Sequence, residues 1–248
     1  TFEDLVKNNF TYVDKTGILH TLVQDKGRYF FSRPRRFGKS LTCSTLDAIF
    51  SGNKELFQGL AIRKTDYAWP VRPVVRLDFA QIDRTTSEKL ISGLKLALTL
   101  NAKRYNIELD QSREPSEMLH LLIVQLADQS GPVAVIIDEY DKPILDCLAD
   151  KAKAKAMRDI LRNFYGTLKG ADVDRSLHFV FITGVSKFSK VSLFSELNNL
   201  NDLTLDERVA TLCGYTQEEL ESVFDEHIEA LAQKQNKPKT QILVELKH

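Results

Sequence analysis

The residues best suited to chemistry are a glycine-lysine-serine triplet. Gly38-Lys39-Ser40 follows an apolar run at residues 29–31 and precedes a helical pattern. Loops of the form G-x-x-x-x-G-K-[ST] hold nucleotide phosphates: backbone N–H groups at the helix start face the anion, the lysine reaches the β- and γ-phosphates, and the hydroxyl binds Mg²⁺. A triplet this short also arises by chance, so its surroundings decide its meaning.

An acid pair further along the chain supports the phosphate interpretation. The apolar run at residues 133–137 leads directly into Asp138-Glu139. Asp138 would hold Mg²⁺ through water, and Glu139 would polarise an attacking water. The alternative is a buried strand that merely ends in solvated carboxylates. The loop and the pair occur in the order that an ATP hydrolase needs, which favours the first interpretation.

A threonine ends a third apolar run, at residues 178–183. Thr183, followed by Gly184, would contact the γ-phosphate or the attacking water as a sensor. Threonine is also a common strand residue, and a glycine often only lets the chain turn. The sequence favours the sensor role slightly, and we count Lys39, Glu139 and Thr183 as candidate catalytic residues.

The loop departs from the motif where Arg33 replaces its first glycine. A side chain at that position resists the positive φ that glycine adopts, and Pro34 removes one N–H donor. The arginines add positive charge where phosphates would lie. Loss of a nucleotide site by mutation would more readily have removed Lys39 or Asp138, and both are present. We therefore expect an altered but competent loop. Its candidate nucleotide-binding residues are Arg33, Pro34, Arg35, Arg36, Phe37, Gly38, Lys39, Ser40 and Leu41, with Ser40 and Asp138 as metal ligands.

Buried strands alternating with helices must position these residues. Apolar runs predict strands at 28–31, 74–79, 133–137 and 178–183, with a weaker one at 203–205. Helical patterns occupy 41–50, 88–105, 118–128 and 144–168, and capping boxes are expected at Thr85/Glu88 and Thr216/Glu219. This alternation predicts an α/β fold with a parallel sheet between helices, which places ligands beyond the carboxyl ends of its strands.

Composition sets limits on partners. Of 248 residues, 34 are Lys or Arg and 34 are Asp or Glu, so the net charge gives no general attraction to nucleic acid or anionic membranes. No stretch is long and apolar enough for a membrane helix. Three scattered cysteines indicate a reducing, cytoplasmic setting. The chain starts at Thr1 and stops within a helical pattern, so we expect a piece of a longer protein.

Taken together, these residues resemble the bacterial and archaeal predicted AAA-ATPase-like family of P-loop proteins. The matching stretches are "YVDKTGILHTLV" (12–23), "YFFSRPRRFGKSLTCSTL" (29–46), "VAVIIDEYDKPI" (133–144), "FVFITGVSKFSKVSLFSELNNLNDLTL" (179–205) and "GYTQEEL" (214–220). In that family the loop ordinarily reads R-P-R-R-F-G-K-S. The resemblance therefore makes Arg33 a family trait.

The resemblance implies an additional-strand P-loop core at residues 1–206 and the truncated start of a C-terminal helical lid at 207–248. Lys39, Ser40, Asp138 and Glu139 match the family's Walker positions. Relatives often carry a PD-(D/E)XK nuclease-like domain further on, so nucleic acid would be engaged only through a missing domain. The Tyr12–Thr16 segment would pack near an adenine, or would form a turn in which Asp14 or Thr16 caps the next helix.

Three functions remain open from the sequence. The first is an ATP hydrolase that needs Mg²⁺ and couples nucleotide state to a conformational change. The second is a switch or scaffold that binds ATP or ADP with little hydrolysis, with self-association or a protein partner. The third is a small-molecule phosphotransferase, which the acid pair argues against because kinases protect their phosphate from water.

Overall fold

A parallel sheet forms the centre of the molecule. The computed structural model describes residues 1–186, 193 and 200–246. Within these residues the sheet has five strands in the order β2-β3-β4-β1-β5, and every pairing is parallel. The strands are β1 (Gly27–Ser32), β2 (Val74–Asp78), β3 (Val133–Asp138), β4 (Leu177–Gly184) and β5 (Asn201–Asp202).

Helices cover both faces of this sheet. In chain order they are α1 (Phe2–Lys7), α2 (Thr16–Val23), α3 (Lys39–Phe50), α4 (Ser87–Lys103), α5 (Pro115–Ser130), α6 (Lys142–Leu145), α7 (Lys151–Gly166), α8 (Ala171–Ser176), α9 (Gln217–Val223), α10 (Asp225–Gln235) and α11 (Lys239–Glu245). Short 3₁₀ turns occupy Lys54–Phe57, Ala61–Lys64, Thr167–Lys169 and Glu207–Val209. The predicted α/β fold is confirmed.

Strand side chains alternate between two cores, as a pleated sheet requires. On one face, Val180 and Ile182 pack with the apolar stripes of α4, α5 and α7. On the other, Phe179 and Phe181 pack with α2 and α3. Helices cover both faces, and for this reason the central strands β3 and β4 are almost continuously apolar rather than alternating with polar residues.

The strand order decides which chain segments meet. β4 lies between β1, which leads into the Gly38 loop, and β3, which ends at Asp138. An extra strand between these two is what distinguishes an additional-strand core. Because all strands are parallel, the loop, the acid pair and Thr183 come to the same edge of the sheet, as expected.

Three local predictions differ from the structure. The helix expected over 144–168 is divided into α6 and α7, because Asp150 starts a new helix by accepting a hydrogen bond from the Lys153 amide (3.0 Å). The start of α4 is capped by Thr86 rather than Thr85, whose hydroxyl bonds Asp83 instead. The weak fifth strand lies at Asn201–Asp202, slightly before 203–205.

The last helices have a small core of their own. Ile228, Ala232 and Ile242 pack together there, apart from the two cores that flank the sheet. Thr216 and Glu219 form the predicted capping box at the start of α9. Among the described residues, the structure has no helix that is both long and apolar enough to cross a membrane.

Candidate functional site

Helix α3 begins without a side-chain cap. Its N-cap is Gly38, whose φ of 96° is the left-handed conformation that glycine adopts readily. No side chain caps this end, and the first turn contains no acidic residue. The Lys39 side chain is buried and its Nζ donates to the Pro34 carbonyl (2.9 Å), which closes the loop into a ring. The helix start therefore presents backbone donors and positive charge to an anion.

Asp138 lies opposite this helix start. The nearby Ser40 hydroxyl lowers the pKa of its carboxylate, and the Glu139 amide donates to Oδ1 at 3.0 Å. Burial is the main cause that raises the pKa of Asp138, and the nearby Asp78 and Glu139 carboxylates raise it further. A buried carboxylate with acidic neighbours is electrostatically suited to a cation.

Two oxygen groups in contact fit Mg²⁺, which in nucleotide sites is held by one or two protein groups together with phosphates and water. Ser40 and Asp138 would supply them. No cluster of three or more His, Cys, Asp or Glu side chains suited to a metal occurs within 1–186, 193 and 200–246. The fit therefore rests on the Ser40–Asp138 contact alone. Sequence reasoning did not single out Asp78, although Asp78 ends β2 in register with Asp138.

Glu139 has an unusual backbone and a close cationic partner. Its φ is 53°, in the left-handed region that residues with a Cβ seldom adopt. Its Oε2 lies 2.9 Å from Lys142 Nζ. Both side chains face the helix start across a cavity of about 380 Å³, which is lined by Arg35, Arg36, Gly38, Lys39, Ser40, Leu41, Glu139 and Lys142.

A buried aspartate holds residues 139–141, the acid loop, against β4. Asp141 Oδ2 accepts hydrogen bonds from the amides of Ser186 (2.7 Å) and Val185 (3.2 Å). Burial raises the pKa of Asp141, and these amides offset part of the rise. A Cβ on Gly184 would lie 2.5 Å from both Asp141 Oδ1 and the Tyr140 ring, so only glycine permits this approach. Sequence reasoning did not single out Asp141, although it lies three residues after Asp138.

Thr183 occupies the same sheet face as the loop helix. It pairs with Phe31 of β1. It lies on the same face of β4 as Phe179 and Phe181, which pack toward α3. Its hydroxyl is buried and has no hydrogen-bond partner in the described part of the chain. An unsatisfied buried hydroxyl is costly in a native structure and calls for an explanation, such as a ligand that it contacts.

Arg33 is placed differently from the expectation that its charge lies at the phosphates. Its guanidinium donates to the Thr204 carbonyl (2.7 Å) and lies over the Phe31 ring, 4.4 Å from the centroid. Of the described loop residues, Arg33, Pro34 and Phe37 do not line the 380 Å³ cavity. Arg33, which stands where the motif has glycine, thus joins the loop to the segment after β5. Its long side chain reaches carbonyls and a ring that a glycine could not contact.

A second cavity, of about 230 Å³, adjoins the loop on its other side. Aromatic and apolar groups line much of it, including Tyr12, Phe37, Leu41 and Tyr215. Burial raises the pKa of the Tyr12 hydroxyl to about 12. Its size and lining suit a planar heterocycle. A larger cavity of about 810 Å³ lies between α5 and α7, and none of the predicted site residues lines it.

The segment before α2 forms the expected turn, but neither Asp14 nor Thr16 caps that helix, whose N-cap is Lys15 without a side-chain hydrogen bond. Asp14 Oδ1 accepts from the Thr16 amide (2.8 Å), which forms a turn, and Asp14 Oδ2 accepts from the Ala61 amide (2.6 Å). Lys15 lines the second cavity, and its Nζ lies 2.5 Å from Glu219 Oε1 of α9. The turn thus positions Lys15 between the cavity and the C-terminal helices.

Comparison with known proteins identifies the family of this chain. An uncharacterized protein in the vnfD 5' region of Azotobacter chroococcum mcd 1 is 42% identical over 218 residues. The match covers 88% of this chain but 42% of that protein, so the chain spans less than half of its relative's length. No solved structure matches. The sequence model of the predicted AAA-ATPase family matches residues 1–194, and the chain belongs to that family.

Proposed function

We propose that this chain binds Mg·ATP on the 33–41 loop and hydrolyses it to ADP and phosphate. The observation that carries the proposal is one cavity with two opposed walls. The uncapped start of α3 with Lys39 forms one wall, and the loop bearing Glu139 forms the other. The first suits an anion, and the second supplies a carboxylate that can accept a proton from water.

The residues then divide the work by position. Lys39 and the α3 amides bind the β- and γ-phosphates, with Arg35 and Arg36 adding positive charge at the rim. Ser40 and Asp138 hold Mg²⁺, which when bound supplies charge neutralisation on the phosphate oxygens. Glu139 orients the attacking water and accepts its proton. The Thr183 hydroxyl binds that water or the γ-phosphate.

The nucleobase belongs in the second cavity on this proposal. Tyr12 and Phe37 offer ring surfaces there, and Tyr215 reaches it from the segment before α9. The Lys15–Glu219 ion pair spans 204 residues of sequence between this cavity and the C-terminal helices. It supplies a route by which the base would influence residues 207–248, proposed as the beginning of a lid.

Activities of the whole protein belong to the same proposal. The chain spans less than half of its relative's length, and we propose that nucleic acid would be engaged only through a further domain of nuclease-like type, with a partner protein or self-association as the alternative. The buried thiols of Cys43, Cys147 and Cys213 support a cytoplasmic setting.

A nucleotide switch with little hydrolysis is the second candidate. One observation favours it: Glu139 is paired with Lys142 rather than presented to water. In that case ATP and ADP bind and change the position of the C-terminal helices, while ATP hydrolysis stays near the uncatalysed rate in buffer.

Calorimetric titration of ATP, ADP and GTP, with and without Mg²⁺, tests the proposal. The wild-type chain should bind ATP, and Lys39→Ala should lose at least about tenfold in affinity because a charge-assisted contact to phosphate disappears. Lys151→Ala removes an exposed lysine of α7 and serves as the matched control. Failure of both this chain and the full-length protein to bind any nucleotide would refute the proposal.

A further inference from the structure

Lys142 is a cation at the phosphate cavity that no nucleotide-binding motif anticipates. It is the first residue of α6, four positions after Asp138, and its ammonium lies 2.9 Å from Glu139 Oε2. The Lys142 and Glu139 side chains are only 22% and 26% exposed, respectively. Both line the cavity that Lys39 and Ser40 border from the opposite wall.

The backbone leaves little freedom in where this lysine sits. The Lys142 amide donates to the Glu139 carbonyl at 3.0 Å, and the adjacent Asp141 is held by two amides beyond β4. Glu139 is kept in a left-handed conformation that is strained for a residue with a Cβ. Such strain persists where surrounding contacts impose it, and it is concentrated at functional sites.

The present partner of Lys142 is the group that the proposed hydrolysis requires. An ammonium bound to Oε2 occupies an oxygen that would otherwise accept a proton from water. A γ-phosphoryl group entering the cavity brings more negative charge than one carboxylate, and a point-like ammonium is suited to binding phosphate oxygens. ADP lacks that group.

We infer that Lys142 is a ligand of the γ-phosphate that exchanges Glu139 for phosphate oxygens when ATP binds. This inference rests on the proposed function. With ATP bound, Glu139 is released to water. The water oxygen bonds to the γ-phosphorus, the bond from that phosphorus to the β–γ bridging oxygen breaks, and ADP leaves with the electron pair. The proton of the water passes to Glu139 and then to solvent. With ADP bound, the Lys142–Glu139 pair remains.

The test compares ATP with ADP in Lys142 variants, using calorimetry with Mg²⁺ and the non-hydrolysable analogue AMP-PNP. Lys142→Met should weaken binding of ATP and AMP-PNP about tenfold, as expected when one charged hydrogen bond is lost, and leave ADP within about twofold. Lys142→Arg should restore much of the preference for ATP. The kcat of Lys142→Met should fall by at least about tenfold, because the charge that develops on the phosphoryl group loses one stabilising cation.

Two further variants separate this role from a structural one. Lys142→Gln keeps a donor for Glu139 and so preserves the loop, yet it should show the same ATP-selective loss. Adding Glu139→Gln to Lys142→Met should recover part of the ATP affinity, because an unpaired carboxylate beside the γ-phosphate is then removed. Lys151→Met, an exposed lysine on α7, should match wild type.

Different outcomes refute different statements. Wild-type protein that binds no nucleotide overturns the proposed function and this inference together. Binding that depends on Lys39, with equal ATP and ADP losses or no loss in the Lys142 variants, overturns only the role of Lys142.

Discussion

Helices α3 and α4 begin in opposite ways. At α4, the Thr86 hydroxyl accepts a hydrogen bond from the Lys89 amide at 3.3 Å, and Glu88 adds an acid to the first turn. At α3, Gly38 offers no side chain, and the first turn contains no acid. A glycine in place of a Ser, Thr, Asn or Asp cap costs roughly a few tenths of a kcal/mol, which is the stability that α3 forgoes.

The difference shows which of these two helix starts leaves its first amides open to a ligand. Side chains that satisfy the first amides of a helix also block an anion from reaching them. Helices α7 and α9 follow the α4 pattern, with Asp150 and Thr216 as caps. At α3 no side chain occupies the first amides and Lys39 adds a cation beside them, which would suit a phosphate. Burial is the main reason that the pKa of the neighbouring Asp138 is raised.

The largest expected effect is a loss of turnover that leaves ATP binding at the α3 start nearly unchanged. Glu139→Gln keeps the size of the side chain but removes the base, so kcat should fall by about 10² to 10⁴, the usual contribution of a positioned acid or base. ATP affinity should stay within a few-fold of wild type, since α3 and Lys39 are untouched. Phosphate release and calorimetry on the same sample measure both quantities. Unchanged turnover would remove Glu139 from the mechanism.

The next effect follows from giving α3 the acid that α4 carries. Ser40→Glu puts a carboxylate at the helix position that Glu88 occupies in α4. Two like charges about 4 Å apart repel by ~4 kcal/mol at an effective dielectric constant of ~20, so ATP affinity should fall by about 100-fold or more. Titration calorimetry gives the affinity, and thermal denaturation confirms that the variant is folded.

Thr86→Ala is the matched change at the other helix start. It should lower the free energy of unfolding by about 1 kcal/mol and leave ATP affinity unchanged, because the cap has only a structural role. If Ser40→Glu bound ATP as well as wild type did, the α3 start would not be the phosphate site and the contrast between the two helices would lose its meaning.

The last pair of changes affects only stability and concerns the wall that faces α3. Gly184→Ala forces a Cβ to within 2.5 Å of Asp141 Oδ1 and should destabilise the protein by about 1–3 kcal/mol, as overpacking does. Gly166→Ala, at the end of α7, has no atom within 4 Å and should stabilise by about 0.4–1 kcal/mol. Denaturant unfolding measures both. Equal effects would mean that the contact between the acid loop and β4 is not tight.

Much of the fold was predictable because local pattern carries it. The strands ending at Asp138 and Gly184 are apolar on both faces, and this burial is visible in single runs of sequence. Helix boundaries were less certain. Thr85 and Thr86 are chemically equivalent as caps, and the structure uses Thr86 because the Thr85 hydroxyl and amide both bond Asp83.

The candidate site was predictable only where a motif supplied the residues. Ser40 and Asp138 lie in contact as the two motifs imply. The placement of Arg33 was not foreseeable, since its guanidinium contacts the Thr204 carbonyl, 171 residues away. The role of Asp141 was equally hidden, because its partners Val185 and Ser186 follow a different strand.

Most strands and helices, and the polar residues at their ends, can be located from local pattern in the chain. Hydrophobic periodicity and helix-start chemistry are local, so they survive in the chain without its fold. The strand order is a property of the folded molecule. Because β4 lies between β1 and β3, Asp141 meets the amides after β4, and Lys142 lines the same cavity as the α3 start. Such contacts depend on strand order, which results from packing both faces of the sheet at once.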